Sequence, residues 1–277
     1  MITGFIVENL LHRILKPVED SYRFSQKRAI SLAVADGVTR DFIGGKPATR
    51  SFGSLLRFLL GYYLNPSPAK EASDIFTLTF TQTNFSSRDS IEEVKMRFEL
   101  ANSNIRDYNK TNFPNPNYLD RDLAGCTAAG ALISNRDVFY GFICDCGVAF
   151  FDEKGNLVEK TKPEMFSGKS LIPGFNWSNP KHRTLWRSNY RNNPSNPNSF
   201  GVLTGEPEAL TYLRTNYHEL KDKELIILYT DSLENILQEG KFRDNLREGA
   251  SRKDFSQLRR FCRKRVSSEG TAIIYAS

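Results

Sequence analysis

The sequence reads as an α+β chain, and three observations carry that reading. Residues 30–35 (ISLAVA) are a run of apolar and small side chains, the pattern of a strand buried in a sheet. Residues 90–109 repeat apolar side chains at helical spacing. Between 124 and 151, three strand-like runs follow one another with only short polar breaks. At 277 residues the chain is long enough for one large domain or two small ones, and it can bury a core.

Each element can be justified in order. Residues 4–11 form a first strand, followed by an irregular link through Pro17. Glu19 and Asp20 open a second strand at 22–24, and SQKR turns the chain into the strand at 30–35. That strand stops at Asp36-Gly37, where glycine lets the backbone turn sharply and brings a carbonyl close to whatever the acid binds. Phe52, Leu55, Leu56, Leu59 and Tyr63 repeat at helical spacing, so 52–63 reads as a helix packed by that stripe, ended by Asn65-Pro66-Ser67-Pro68. The helix at 90–109 is the clearest element. Ile91, Val94, Phe98, Ala101 and Ile105 make one stripe for the core, and Ser90 with Glu93 forms a capping box.

A polar loop then leads to Asp122. The small residues of 124–133 suit a strand packed closely against its neighbours; 138–143 and 148–151 are further strands, with a hairpin turn at 152–156. Cys144-Asp145-Cys146-Gly147 puts another acid at a strand boundary. Residues 161–200 are rich in Asn, Pro, Ser and basic side chains and contain both tryptophans, the composition of a functional flap. Residues 206–217 read as a helix with Pro207 in its first turn. LIILY (225–229) is a buried strand, followed at once by Thr230-Asp231-Ser232 and a helix at 233–237; TAIIY (271–275) is a further strand.

Composition is that of a soluble globular protein, with 39% hydrophobic and 25% charged residues. Glu8, His12 and Arg13 interrupt the apolar first stretch, which fits neither a signal peptide nor a membrane span. Cys126, Cys144, Cys146 and Cys262 show no CxxC spacing, so a reduced, cytoplasmic compartment is expected. The net charge of +6 is local: ten Lys or Arg lie between 241 and 265, against Asp244, Glu248 and Asp254. With Phe255, Leu258 and Cys262 as a buried stripe, this segment reads as a solvated helix face rather than a nucleic-acid surface.

Acids recur where strands begin or end: Glu19, Asp20, Asp36, Asp145, Asp231 and Glu269. Singly each is ordinary, since Asp-Gly marks turns and Asp231 suits an N-cap. Gathered in one cleft they would repel each other strongly, and the natural compensation is one or two divalent cations. All-oxygen ligation suits magnesium or manganese; zinc favours His and Cys, and His12, His182 and His218 are scattered. No GxxxxGK[ST] phosphate loop and no GxSxG elbow occurs.

The order of these motifs resembles that of the metal-dependent type 2C protein phosphatases. The resemblance is carried by VEDSYRF (18–24), SLAVADGVTRD (31–41), AGCTAAGALI (124–133), FICDCGVAFFDEKGNLVEKT (142–161), GVLTGEPEAL (201–210), LIILYTDSLENIL (225–237) and SSEGTAIIY (267–275). It implies a four-layer α-β-β-α sandwich, two antiparallel sheets flanked by helices, with two or three Mn2+ or Mg2+ ions in a cleft at one end. By position, Asp36 resembles the acid bridging two ions, with Gly37 giving its carbonyl. Glu19 matches a ligand of the second metal and Asp20 the acid beside it. Asp231 matches the TDG aspartate on the first metal, and Asp145 the GDS acid that supports a further one. In that family a water held between two metals attacks phosphorus directly. The resemblance therefore implies a signalling hydrolase that removes phosphate from serine or threonine in a phosphorylated protein, with Asp36 and Asp231 as catalytic residues. Two readings stand for Lys169, Lys181, Arg183, Arg187 and Arg191 of the flap: they meet the charge of such a substrate, or they are simply solvated.

The chain departs from the family at named positions. TDG reads Thr230-Asp231-Ser232, and GDS reads Cys144-Asp145-Cys146. The last aspartate of the DNxT motif falls on Ser268, so Glu269 replaces it only with a shift of the backbone. The phosphate-binding arginine falls on Leu15, with Lys16 and Arg13 as stand-ins for substrate phosphate. These departures keep open an alternative, a catalytically weak or inactive relative that serves as a binding module.

Overall fold

The computed structural model describes residues 1–9, 16–27, 29–49, 51–82, 90–117, 122–164, 172–176 and 178–277. Its strands are β1 (Ile2–Glu8), β2 (Ser21–Ser25), β3 (Ile30–Gly37), β4 (Cys126–Ser134), β5 (Asp137–Ile143), β6 (Gly147–Phe151), β7 (Leu157–Lys160), β8 (Arg214–Glu219), β9 (Leu225–Tyr229) and β10 (Glu269–Ala276). Its helices are α1 (Phe52–Leu59), α2 (Pro68–Gln82), α3 (Ile91–Asn112), α4 (Pro180–Tyr190), α5 (Asp231–Glu234), α6 (Gly240–Arg252) and α7 (Ser256–Arg265).

The strands form two five-stranded sheets, ordered β1-β10-β9-β6-β7 and β2-β3-β4-β5-β8, with every neighbour antiparallel. The period of two in each strand assigns the layers. In β3, Leu32 and Val34 enter a core shared with Ala129, Ala131, Ile226 and Leu228, between the two sheets. Ala33 and Ala35 point the other way, against Phe76, Phe80 and Phe98 of α2 and α3. On the far side, Leu225, Ile227 and Tyr229 of β9 pack on Leu246 and Leu258 of α6 and α7. The result is the α-β-β-α sandwich expected from the resemblance. The small residues of β4 have a use here: ring atoms of Phe80 lie 2.5 Å from where a Cβ on Gly130 would sit.

Several elements differ from their sequence reading. Residues 206–217 are not one helix: a single 3-10 turn (Pro207–Tyr212) is followed by β8, an edge strand paired with β5. Thr215, Asn216 and Tyr217 have weak helix propensity, and the free edge of β5 offers their backbone a ladder instead. The stripe of α1 is not core: Phe52, Leu56 and Leu59 are exposed, and the buried member of the set is Tyr63, beyond the helix end. Helix α2 has no counterpart in the sequence reading. Its buried face combines Ala69, Ala72, Phe76 and Phe80 with Ser73, Thr77 and Thr81, which blunts the apolar contrast that marks a helix.

Helix α3 begins as read, with Ser90 Oγ accepting from the Glu93 amide at 3.2 Å. The Glu93 carboxylate, however, forms a buried ion pair with Arg97. The basic segment is two helices, broken at Lys253, whose φ of 55° lies in the left-handed region. Phe255, Leu258 and Cys262 are buried there. No helix among the described residues is long and apolar enough to cross a membrane.

Candidate metal centre

Antiparallel pairing brings strand ends together at one end of the sandwich. Ser21 at the start of β2 lies opposite Ala35 near the end of β3, and Asp36 lies opposite Thr127 at the start of β4. In the other sheet, Tyr229 at the end of β9 pairs with Gly147 and Ala272. The acids that flank these positions therefore share one region.

Asp20, Asp36 and Glu269 converge: one carboxylate oxygen of each lies within 4.8 Å of the others. Asp20 is fully buried; its Oδ2 accepts from the Thr230 hydroxyl at 2.9 Å, while its Oδ1 has no partner. The same Thr230 oxygen accepts from the Thr271 amide at 2.9 Å, which fixes the hydroxyl between β9 and β10. Glu269 accepts from the backbone amides of Glu19 (3.0 and 3.2 Å) and Asp20 (3.5 Å). Asp145, in the link between β5 and β6, also has a buried Oδ1 without a partner.

Burial is the first reason that these acids hold their protons, and mutual repulsion the next. Asp36 is pushed well above the carboxylate range by desolvation, then by Asp20, Asp231, Asp145 and Glu269. Glu269 is raised to about 9 by burial, then by Asp20 and Glu19; Asp20 is raised to about 7 and Asp145 to about 6, chiefly by burial. The nearby Lys70 ammonium donates to the Asp20 carbonyl and to Asp74 rather than to the cluster. Convergent carboxylates with orphaned oxygens fit a hard divalent cation, magnesium or manganese. The Cys144 and Cys146 thiols are pushed up by burial and stay protonated, which disfavours a thiolate-bound metal.

The other predicted positions lie around this cluster. The Glu19 carboxylate turns away from it and accepts from Tyr63 (2.7 Å) and Ser67 (2.9 Å) at Oε1 and from Thr39 at Oε2. Gly37 lies beside Glu19; a Cβ there would meet the Glu19 carbonyl and the Ala69 backbone at 2.8 Å, so close approach rather than a turn demands glycine. Asp231 is the first residue of α5, its Oδ1 accepting from Ser232 at 3.1 Å. Ser232 pairs with the Ser268 hydroxyl at 2.9 Å, which sets Ser268 apart from the carboxylates that Glu269 joins. Lys16 donates to Thr39 at 2.9 Å. Arg13, like Leu15, lies outside the described residues.

Sequence reading missed Thr230, Tyr63, Ser67 and Thr39. Thr230 had a signal, since it precedes Asp231 at a strand end; nothing local marked Tyr63 or Ser67. In the flap, Arg183, Arg187 and Arg191 do not await a substrate. They recur every four residues along α4 and at its C-cap, are buried, and bind Asp41 (Arg183 2.6 Å, Arg187 3.1 Å) and Asp122 (Arg187 3.0 Å, Arg191 2.8 Å). Lys181 is exposed, and Lys169 lies outside the described residues.

Solved structures share this fold: the chain is similar in fold to bacterial serine/threonine phosphatases, at low sequence identity. Stp1 from Staphylococcus aureus superposes with a TM-score of 0.62 at 15% identity, covering 100% of this chain and 95% of that one. The catalytic domain of the serine/threonine phosphatase PstP, in complex with two manganese ions, gives 0.60 at 16% identity, covering 99% and 96%. RsbX in complex with magnesium gives 0.54 at 14% identity, covering 100% and 94%. The sequence matches no protein-family model and no curated protein.

Proposed function

We propose that the chain, as a single domain, is a phosphatase dependent on manganese or magnesium that hydrolyses phosphoserine and phosphothreonine in proteins. The observation that carries this reading is the convergence of Asp20, Asp36 and Glu269, with one buried oxygen of Asp20 and one of Asp145 left unpartnered. Asp36 and Asp20 would hold cations in the cleft, with Glu269, Asp145 and Asp231 completing the set. When bound, such cations would lower the pKa of a water molecule and neutralise charge on phosphoryl oxygens. The chain's own part is to keep the carboxylates converged: Thr230 orients Asp20, and the Glu19 and Asp20 amides orient Glu269. Lys16, held on Thr39, is the described cation nearest in sequence to the position of the family's phosphate-binding arginine.

Pure protein should hydrolyse p-nitrophenyl phosphate and a phosphoserine peptide only with manganese or magnesium, and chelator should abolish both. Metal binding seen by calorimetry without turnover of either substrate would replace this reading with that of a binding module on the same fold.

A further inference from the structure

Arg40 lies four residues beyond Asp36, and its side chain is buried with no direct ion pair among the described residues, Asp122 being its nearest electrostatic partner. It is 8% exposed, its guanidinium sits 3.9 Å from the centroid of the Phe113 ring, and its Nε has no hydrogen-bond partner. The neighbouring carboxylates are engaged elsewhere, Asp41 by Arg183 and Arg187, and Asp122 by Arg187 and Arg191. Four guanidinium groups thus share two carboxylates, a surplus of two positive charges, and Arg40 feels Asp122 without pairing directly with it. Burial of such a charge is costly unless something pairs with it, and here it lowers the pKa of Arg40.

Arg40 lines a cleft of about 950 Å³. The mouth is apolar, formed by Ile43, Tyr62 and Leu64, each about half exposed. The cleft reaches the wall of the metal centre through Tyr63, whose hydroxyl donates to Glu19 at 2.7 Å and accepts from the Arg40 amide at 3.3 Å. Four residues of extended chain span at most about 14 Å, which bounds the path along the chain from Asp36 to Arg40.

We propose that this cleft docks an acidic side chain of the substrate, within about four residues of its phosphorylated residue, while flanking apolar side chains rest on Ile43, Tyr62 and Leu64. This deepens the phosphatase reading above and rests on it. A carboxylate entering the cleft gives Arg40 a directly paired anion and forms charge-assisted hydrogen bonds with its guanidinium. The cleft admits a side chain and its neighbours, so it selects local sequence rather than a folded surface.

The test uses the full chain in chelator, where binding is read without turnover. Two fluorescein-labelled phosphoserine peptides are compared by anisotropy, one with two aspartates within four residues of the phosphoserine, the other with asparagines there. The wild-type protein should bind the acidic peptide about tenfold more tightly, as one charge-assisted contact warrants. Arg40→Met should abolish that preference without lowering the thermal midpoint, because it removes a buried charge that makes no direct ion pair among the described residues. Tyr62→Glu, at the exposed mouth, should abolish it without touching the interior. Equal affinities in the wild type, a preference that survives both variants, or loss of binding with a lowered thermal midpoint in Arg40→Met would each overturn the proposal. Failure of the phosphatase reading would appear separately, as absent manganese-dependent turnover with the preference intact, and would leave the cleft a site for an acidic peptide partner.

Discussion

The Glu269 carboxylate accepts hydrogen bonds from the Glu19 amide, 250 residues away in the chain, at 3.0 and 3.2 Å. This contact ties the start of β10 to the approach of β2 and so joins the two sheets at the metal centre. It also puts a carboxylate in the cluster from position 269, while Ser268 faces Ser232.

Glu269→Gln keeps an acceptor for the two amides but removes the charge. It should raise the manganese concentration for half-maximal activity by about tenfold or more, with the fold retained. Ser268→Asp should move it by less than about threefold, since Glu269 already supplies an acid. Manganese titrations of both variants decide the matter, and the reverse order of effects would mean that Ser268 marks the ligand position.

Asp36→Asn relieves repulsion among four other acids. Manganese-stimulated turnover should fall by about a hundredfold or more, while the thermal midpoint in chelator stays the same or rises. Asp231→Asn should likewise lose turnover. Near wild-type rates in either variant would remove the cation mechanism from this cluster.

Stability without metal should fall as pH rises. Asp145, Asp20 and Glu269 hold their protons up to about 6, 7 and 9 in the folded chain, and Asp36 well above its ordinary value. Raised folded values give stability that is full below the unfolded carboxylate range, near about 4, and lost as pH passes through the folded values. In chelator the thermal midpoint should therefore drop by at least about 3 °C between pH 5 and pH 9. Manganese should raise it more at pH 8 than at pH 5. A midpoint that climbs with pH in chelator would contradict the clustering of these acids.

Arg187 bridges Asp41 and Asp122, which fastens α4 against the loop after β3. Arg187→Met leaves buried carboxylates short of a partner and should cost about 3 kcal/mol in urea denaturation. Lys181→Ala, on the exposed face of the same helix, should cost less than about 0.5 kcal/mol. Equal costs would show that the arginines do not anchor the helix.

The apolar strands and the acids at their ends can be read from local pattern, because an acid that closes a buried run has few stable surroundings other than a cation or a donor. Ile30–Gly37 and Leu225–Tyr229 are legible for that reason, as is the stripe of Val94, Phe98, Ala101 and Ile105. Which of these acids meet depends on tertiary packing. Glu19 and Asp20 are adjacent, yet one carboxylate is held by Tyr63 and Ser67 while the other joins Asp36 and Glu269. The direction of a side chain at a strand end depends on donors that arrive from distant segments, and no local spacing encodes them. The same limit explains residues 206–217, where the free edge of β5 outweighed local propensity, and α1, whose regular stripe faces solvent. Periodicity records that a face is apolar; packing alone decides what covers it.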